Sequence, residues 1–252
     1  MISIVSAYIN RKCLLYKTLK SITQSKYKDF EFILVDDGST ENERIEDFLI
    51  EFPFLKIIRL DPKDRWYINP CVPFNIGIKA AKGDIIILQS PECFHVHDIL
   101  TYVSKNINNS NYISMSAYGL TEDFTKELHT LTLTTEIQQF FKNLPQVSAA
   151  KGYTNCWLNH SEYMPFHYHY CSAITKKNMN KLGGFDERWA YGIGGDDDEF
   201  AYRVDKLKLL RVIEDNLSVI HQYHHRVCHD YSNFNELNLK NRNLLNKLKG
   251  VK

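Results

Sequence analysis

The 252-residue sequence lacks the features that would place it in several broad protein classes. It has no excess of basic residues, because 31 Lys and Arg face 30 Asp and Glu and leave a net charge of +1. This balance argues against a nucleic-acid-binding protein that depends on a basic surface. No apolar run approaches the roughly 18 residues of a membrane span. The chain begins with the mostly apolar residues 1–5 and does not show the pattern of a signal peptide, in which a basic segment is followed by an apolar one. We therefore expect no transmembrane segment, no nucleic-acid partner and a cytoplasmic location.

The cysteines also form no recognisable framework. There are six of them, and no two are spaced as C-x-x-C. We interpret them as reduced thiols of a cytosolic-type compartment rather than as disulfides. Hydrophobic residues make up 44% and charged residues 24% of the chain, which is close to the globular average and excludes wholesale disorder. The length suits one large domain or two small, closely fused ones.

The first hundred residues alternate between two hydrophobic patterns. Short apolar runs predict strands at 2–7, 30–35, 55–60 and 84–88. Between them, apolar residues at spacings of three and four predict helices at 12–25 and 41–52, with a further helix ending at Lys82-Gly83. Strands that are apolar throughout and separated by helices indicate a parallel sheet covered on both faces. The expected fold class is therefore α/β.

Beyond residue 101 the pattern is weaker. We predict strands at 112–118 and 217–220, helices at 121–141 and 199–207, and a loop with one strand at 151–170. No repeat or linker interrupts residues 1–230, so we expect one continuous domain. The segment 231–252 is a basic, leucine-rich tail, which we expect to dock on its own domain. Pairing with a second copy and contact with an anionic membrane are the alternatives.

Polar residues follow several of the predicted strands. In an open parallel sheet, ligands bind beyond the carboxyl ends of the strands. Asp37 follows the second strand, where its carboxylate could accept hydrogen bonds from a nucleobase or a ribose; an Asp-Gly turn is the alternative. Glu92 follows the strongest strand and could hold a divalent cation, although one carboxylate makes a thin site. His221, in a histidine-rich segment, could add a ligand, or the segment could be a surface cluster.

Two further segments are candidates for a site. Asn75-Ile76-Gly77 is predicted to begin a helix, where Asn could bond a ligand and Gly would allow close approach. Acids at 196–199 follow a glycine-rich stretch and open another helix. Packed carboxylates repel one another, so the pKa of one or two should be raised, as a general base requires. A solvated helix cap is the alternative for these acids.

In series, these motifs resemble a known family. Residues 2–8 and the helix after them, 32–39, 75–77 and 183–203 occur in the order seen in family 2-type glycosyltransferases with the GT-A fold. The resemblance covers roughly residues 1–225. Residues 194–200 also look like the acidic segment of β-1,4-galactosyltransferases, and 221–223 like the histidine segment of chondroitin-synthase-type enzymes. The resemblance implies a Rossmann-like, mostly parallel central sheet flanked by helices. Residues 1–100 would form the nucleotide-sugar-binding half, and 101–230 a fused acceptor-binding and catalytic half.

The resemblance also implies inverting transfer of a hexose-type sugar from a nucleotide sugar, usually a UDP-sugar, to a hydroxyl of a glycan, protein or lipid-linked acceptor. A Mn²⁺ or Mg²⁺ ion would hold the diphosphate. Carried over to this sequence, the nucleotide-binding residues are Ala7, Tyr8, Asp37 and Asn75, and the metal ligands are Glu92 and His221. Asp197 matches the catalytic base, with Asp196 beside it, and the expected acceptor-binding residues are Trp189, Tyr191 and Asp198.

One departure from the family pattern bears on the metal. The segment Gln89-Ser90-Pro91-Glu92 lacks the usual paired aspartates. Either Glu92 and His221 suffice together with waters and the diphosphate, or the metal is held weakly. Two other functions therefore stay open at this point: a catalytically weakened protein that binds nucleotide sugars, and a metal-dependent nucleotide-sugar hydrolase.

Overall fold

The computed structural model describes residues 1–148 and 155–250. Within them, nine strands form one sheet: Ile2–Tyr8 (β1), Phe30–Asp36 (β2), Leu55–Arg59 (β3), Ile85–Gln89 (β4), Cys93–His95 (β5), Asn111–Gly119 (β6), Cys156–Asn159 (β7), Cys171–Thr175 (β8) and Leu210–His221 (β9). The predicted loop at 151–170 contains β7, and its residues 151–154 lie outside the described part.

Eight α-helices surround the sheet in the described residues. They are Lys12–Thr23 (α1), Cys71–Ala80 (α2), Ile99–Asn106 (α3), Glu122–Thr130 (α4), Thr134–Lys142 (α5), Lys176–Leu182 (α6), Asp196–Lys206 (α7) and Phe234–Lys249 (α8). Short 3₁₀ segments lie at Glu41–Glu43, Glu46–Leu49, Pro62–Asp64, Glu187–Tyr191 and Val227–Asp230. None of these described helices combines the length and the apolar character needed to cross a bilayer.

The sheet has a parallel half and a mixed half. Its strand order is β3-β2-β1-β4-β8-β6-β9-β5, and β7 pairs with β6 beside this path. The first four strands are parallel, as predicted. In the second half, β8 runs antiparallel to both β4 and β6, whereas β9 runs parallel to β6. The α/β architecture is thus confirmed, with antiparallel pairs concentrated in the half that the sequence pattern described less well.

Both faces of the parallel half are buried. Successive strand residues point to opposite faces, so Ile4 of β1 packs in the core beneath α1, while Val5 packs in the core beneath α2. Helix α1 contributes Leu15 and Leu19 to the first of these cores. Strands that are mostly apolar on both faces are the consequence of this double covering, which explains why the sequence pattern predicted them well.

Three predicted elements differ from the structure. The helix predicted at 41–52 is two separate 3₁₀ segments, because Arg44 between them is extended at φ −66°, ψ 147°. The helix predicted at 121–141 is two helices, α4 and α5; Leu131 is extended between them, in a stretch rich in threonine, which favours helices poorly. The strand predicted at 217–220 is the buried end of the longer β9, whose first half is half-buried and charged.

The C-terminal tail is a helix that docks on its own domain, as expected for this segment. The side chain of Asn241 in α8 is buried, and its Nδ2 donates hydrogen bonds to the backbone oxygens of Trp189 (3.1 Å) and Gly194 (2.7 Å). The backbone N–H of Ile193 in turn donates to the oxygen of Leu237 (3.2 Å). Helix α8 therefore holds the glycine-rich loop that leads into α7.

Helix α2 begins earlier than predicted. It starts at Cys71, so Asn75 and Gly77 lie inside the helix rather than at its beginning. A Cβ on Gly77 would lie 2.5 Å from Val5 Cγ1 and 3.2 Å from Val35 Cγ2. The glycine thus allows the helix to approach β1 and β2 closely, whereas the sequence had suggested the close approach of a ligand.

We expect Gly77→Ala to lower the free energy of unfolding by about 1–3 kcal/mol, because the added methyl group overpacks the helix–sheet contact. Without that contact, alanine in a helix interior would stabilise the protein by about 1 kcal/mol, so the sign of the change is diagnostic. Denaturant unfolding measures it. Lys79→Ala, on the exposed side of the same helix, is the control and should change the value by less than about 0.5 kcal/mol. A Gly77→Ala protein more stable than the wild type would disprove the contact.

Candidate active site

Two adjoining cavities open where β1, β2 and β4 end. The first, about 320 Å³, has walls formed by residues on the loops after these strands and by the segment after β9, among them Ala7, Tyr8, Arg11, Asp37, Glu92 and His224. The second, about 340 Å³, is lined by Tyr168, His169, Tyr170, Gly194, Gly195, Asp197 and Asp198. Ser90 and Arg226 belong to the walls of both. Asp37 and two acids of α7, Asp197 and Asp198, therefore face neighbouring parts of one cleft.

A buried carboxylate lies at the wall of the first cavity. Glu92 is 2% exposed, and its Oε1 lies 2.9 Å from His221 Nε2 and 3.2 Å from His224 Nε2. Its Oε2 accepts a hydrogen bond from Arg11 Nη1 at 2.8 Å. Glu92 follows β4, Arg11 precedes α1, and the two histidines lie at and after the end of β9. Three distant parts of the chain thus meet at one side chain.

The surroundings of Glu92 keep it ionised. Burial alone would raise its pKa, but the charge of Arg11 and the hydrogen bonds of His221 and His224 outweigh burial and hold the pKa well below 4.5. The ligand atoms of Glu92, His221 and His224 lie within 4.8 Å of one another, which is close enough to hold a divalent cation. Glu92 and His221 of this group were predicted from the sequence, whereas His224 was not, although it stands only three positions after His221.

The predicted nucleotide residues divide into two sets. Ala7, Tyr8 and Asp37 all line the first cavity. Asp37 accepts a hydrogen bond from Tyr67 Oη at 2.5 Å and pairs with Arg65 Nη2 at 3.3 Å, while burial raises its pKa. Asn75 lies outside the residues that line either cavity.

The amide of Asn75 is engaged elsewhere. Its Nδ2 donates to the Phe185 backbone oxygen and to Glu187 Oε1, both at 2.9 Å, and its Oδ1 accepts from the Phe185 N–H at 2.7 Å. These bonds join α2 to the loop before α7. A direct contact of Asn75 with a nucleotide remains a prediction, and the observed contacts are those of a structural link.

The acids at the start of α7 occupy different environments. Gly195 precedes them in the left-handed conformation (φ +80°), which turns the chain into the helix. Asp196 is buried and accepts a hydrogen bond from Asn69 Nδ2 at 2.8 Å. Asp197 and Asp198 line the second cavity, where Asp198 accepts a hydrogen bond from Tyr168 Oη at 3.2 Å. The acids are therefore only partly exposed to solvent, because Asp196 is buried while Asp197 and Asp198 face the cavity.

The two predicted acceptor aromatics lie outside the residues that line the cavities. Trp189 is 1% exposed, and a Cβ on Gly195 would lie 2.8 Å from its Nε1. The indole is thus packed under the glycine-rich loop. Tyr191 is half exposed and packs against Trp66, with ring centroids 5.3 Å apart. Binding of an acceptor by these two residues stays a prediction, and for Trp189 burial makes direct contact impossible without movement of the loop.

One imidazole in the second cavity was missed by the sequence analysis. His169 Nδ1 lies 2.5 Å from Asp197 Oδ1, and the ligand atoms of His169, Asp196 and Asp197 lie within 4.8 Å of one another. The alternation of histidine and tyrosine at 167–170, directly before β8, was the only signal in the sequence. It carried no recognisable motif.

This fold, a parallel half-sheet joined to a mixed half with polar residues at the strand ends, is the GT-A fold of glycosyltransferases. S. aureus TarS 1–349 in complex with UDP-GlcNAc is similar at a TM-score of 0.61 and 15% identity, over 94% of this chain and 64% of that one. The mannosyltransferase PcManGT from Pyrobaculum calidifontis, in complex with GDP-Man and Mn²⁺, is similar at a TM-score of 0.60 and 14% identity, over 91% and 59% of the two chains.

Residues 3–179 match the family described as "Glycosyl transferase family 2", and the chain belongs to that family. It is 26% identical over 228 residues to a chondroitin synthase of Escherichia coli, and the match covers 81% of this chain and 32% of that protein. An uncharacterized glycosyltransferase of Haemophilus influenzae is 30% identical over 130 residues, covering 50% and 42%. The chain thus spans about a third to two fifths of the length of these curated relatives.

The environment of Asp196 predicts an effect of pH on stability. Burial, followed by the charge of Asp197, raises the pKa of Asp196 from 3.8 to about 6. The folded protein therefore holds a proton on Asp196 that the unfolded chain has already released, and the free energy of unfolding falls as the pH rises through this range. Asparagine cannot ionise and keeps an oxygen for Asn69. We expect Asp196→Asn to raise the free energy of unfolding by about 1–3 kcal/mol near pH 8.

At about pH 4 the effect of the same substitution should be much smaller, because this residue then carries the proton in the folded protein and for much of the time in the unfolded chain as well. Denaturant unfolding at both pH values provides the measurement. Asp123→Asn, whose side chain is 95% exposed, is the matched control and should change little at either pH. If Asp196→Asn were instead destabilised at pH 8, ionised Asp196 would not be destabilising in the folded protein, and the prediction would be wrong.

Proposed function

We propose that the protein is an inverting glycosyltransferase that moves a hexose-type sugar from a nucleotide sugar, with UDP as the nucleotide, to an acceptor hydroxyl. One observation carries this proposal: the carboxylate of Asp197 and the group around Glu92 open on adjoining cavities that share Ser90 and Arg226. A donor in one cavity and an acceptor in the other would meet at this shared wall. The complexes of TarS with UDP-GlcNAc and of PcManGT with GDP-Man support a nucleotide sugar as the donor.

The first cavity would take the nucleoside diphosphate. Ala7 and Tyr8 end β1 and would pack against the nucleoside, and Asp37 would accept a hydrogen bond from it. Arg11 and Arg226 line the same cavity and would place positive charge near the phosphates. The Arg65 and Tyr67 contacts orient the Asp37 carboxylate for this task.

A divalent cation fits the group formed by Glu92, His221 and His224. Two imidazoles and one carboxylate are a donor set that suits Mn²⁺ better than Mg²⁺, which prefers oxygen ligands. When bound, the cation neutralises charge on the departing diphosphate. Arg11 donates a hydrogen bond to the second oxygen of Glu92, and its charge helps to keep the carboxylate ionised. Arg11 would thus help to hold Glu92 in place as a ligand in a site that lacks the paired aspartates.

The second cavity would take the acceptor. Asp197 lies in the first turn of α7 with its side chain one third exposed, so its carboxylate can receive the proton of an acceptor hydroxyl. The hydroxyl oxygen attacks the anomeric carbon as the bond from that carbon to the diphosphate oxygen breaks, and a single displacement inverts the configuration. Base catalysis of this kind contributes roughly 10²- to 10⁴-fold, and alignment of the two substrates supplies most of the remainder.

We expect Asp197→Asn to lower kcat by roughly 10²- to 10⁴-fold while the Kd of the UDP-sugar changes less than about threefold, because only proton transfer is lost. Screening UDP-sugars by thermal shift with Mn²⁺ identifies the donor, and transfer to a glycan, protein or lipid-linked acceptor is then followed by release of UDP. Asp198→Asn is the matched control: it lies on the same helical turn and cavity wall, and we expect a raised acceptor KM with kcat within about tenfold.

The two other functions give different results in the same experiment. A nucleotide-sugar-binding protein binds the donor without turnover, and Mn²⁺ does not change its affinity. A hydrolase releases free sugar at a rate that no acceptor alters. Transfer at the wild-type rate by the Asp197→Asn protein would refute the assignment of the base. The proposed cytoplasmic location fits a donor that is a soluble nucleotide sugar.

A further inference from the structure

We propose that His169 is a positioning residue for Asp197: its imidazole fixes one carboxylate oxygen of the base, so that the other faces the acceptor hydroxyl. This inference rests on the proposed function. It starts from the only imidazole of the described residues that lines the second cavity. His169 Nδ1 lies 2.5 Å from Asp197 Oδ1, which is within hydrogen-bonding distance.

The bond to Asp197 has a second component from the same residue. The backbone N–H of His169 also donates to Asp197 Oδ1, at 3.3 Å. Both donors of His169 thus converge on one oxygen. No hydrogen bond from another described side chain reaches Oδ2, and the Asp197 side chain remains one third exposed in the cavity. The arrangement separates the two oxygens into one that is held and one that is available.

The imidazole itself has little freedom to turn away. It is 7% exposed and packs against the rings of Phe74, Phe185 and Phe200, with centroid distances of 5.4, 5.0 and 6.5 Å. The first two rings belong to α2 and to the loop before α7. The aromatic box therefore fixes the ring plane, and the fixed ring transmits that orientation to Asp197.

The charges around His169 support a donating Nδ1–H. Burial would lower the pKa of His169, but the charge and hydrogen bond of Asp197, with a further contribution from Asp196, outweigh burial and raise it. Asp196 is in turn held by Asn69. The imidazole thus has an acid on one side and aromatic rings on the other, so Asp197 is the acceptor for its Nδ1–H.

The test separates the hydrogen bond from the packing. His169→Phe fills the aromatic box and removes the donor. His169→Asn keeps an amide nitrogen bonded to Cγ, where the histidine carries Nδ1, and so preserves a donor to Asp197. We expect His169→Phe to lower kcat by about 100-fold, the size of effect that a misplaced catalytic group produces, with the donor KM within about threefold. We expect His169→Asn to recover kcat to within about tenfold of the wild type.

The double variant His169→Phe/Asp197→Asn measures whether the two residues act together. If His169 acts through Asp197, adding His169→Phe to Asp197→Asn lowers kcat by no more than about threefold further. Thermal unfolding and UDP-sugar binding of each variant establish that it is folded, so a loss of kcat with normal donor binding cannot be a folding defect.

Four results would overturn the inference. His169→Phe could retain wild-type kcat, His169→Asn could be as impaired as His169→Phe, or the losses of the two single variants could multiply in the double variant. Loss of Mn²⁺ binding in His169→Phe, measured by calorimetry without donor, would also overturn it, since it would make the imidazole a cation ligand. If Asp197→Asn itself remains fully active, the proposed base has failed rather than the role of His169.

Discussion

The ionised carboxylate of Glu92 is the constraint around which the candidate site is organised. A buried, unpaired carboxylate costs several kcal/mol, so the fold must bring hydrogen-bond donors and positive charge to it. Arg11 comes from the β1–α1 loop, and His221 and His224 come from the end of the sheet's second half. These contacts join residues more than eighty positions apart in sequence. Because the partners of Glu92 come from both halves of the sheet, this one side chain links the two halves at the place where a charged ligand could bind.

A second set of contacts fixes the acids on the opposite side of the cleft. Asn69, after β3, holds Asp196, and Asn241 of α8 holds the loop that enters α7. The C-terminal helix is therefore part of the support of the site. Burial of Asp196 next to Asp197 raises the pKa of Asp196 and works against stability, so other contacts of the fold must offset this cost. His169 completes this support from the strand β8 side.

The parts of the fold that depend on local pattern could be predicted from the sequence. Strands buried on both faces are mostly apolar, and polar residues that follow them converge at one edge of a parallel sheet, so Asp37 and Glu92 could be identified as candidates. The residues that were missed, His169, His224 and Arg11, gain their meaning only from partners far away in sequence. Asn75 and Trp189 belong to motifs of the family, yet here their polar atoms or rings serve the packing around α7. Motif position alone cannot distinguish a residue that touches a ligand from one that supports its neighbour.

The most direct measurement is a crystal structure of the protein with UDP and Mn²⁺. If both halves of the sheet serve a single donor site, the uracil and ribose lie beside Ala7 and Asp37, and the diphosphate lies at the wall shared by Ser90 and Arg226. The ion is then bound by Glu92 and the neighbouring histidines. A nucleotide bound away from this cleft, or one whose diphosphate does not contact the Ser90–Arg226 wall, would contradict the convergence of the two halves on one substrate.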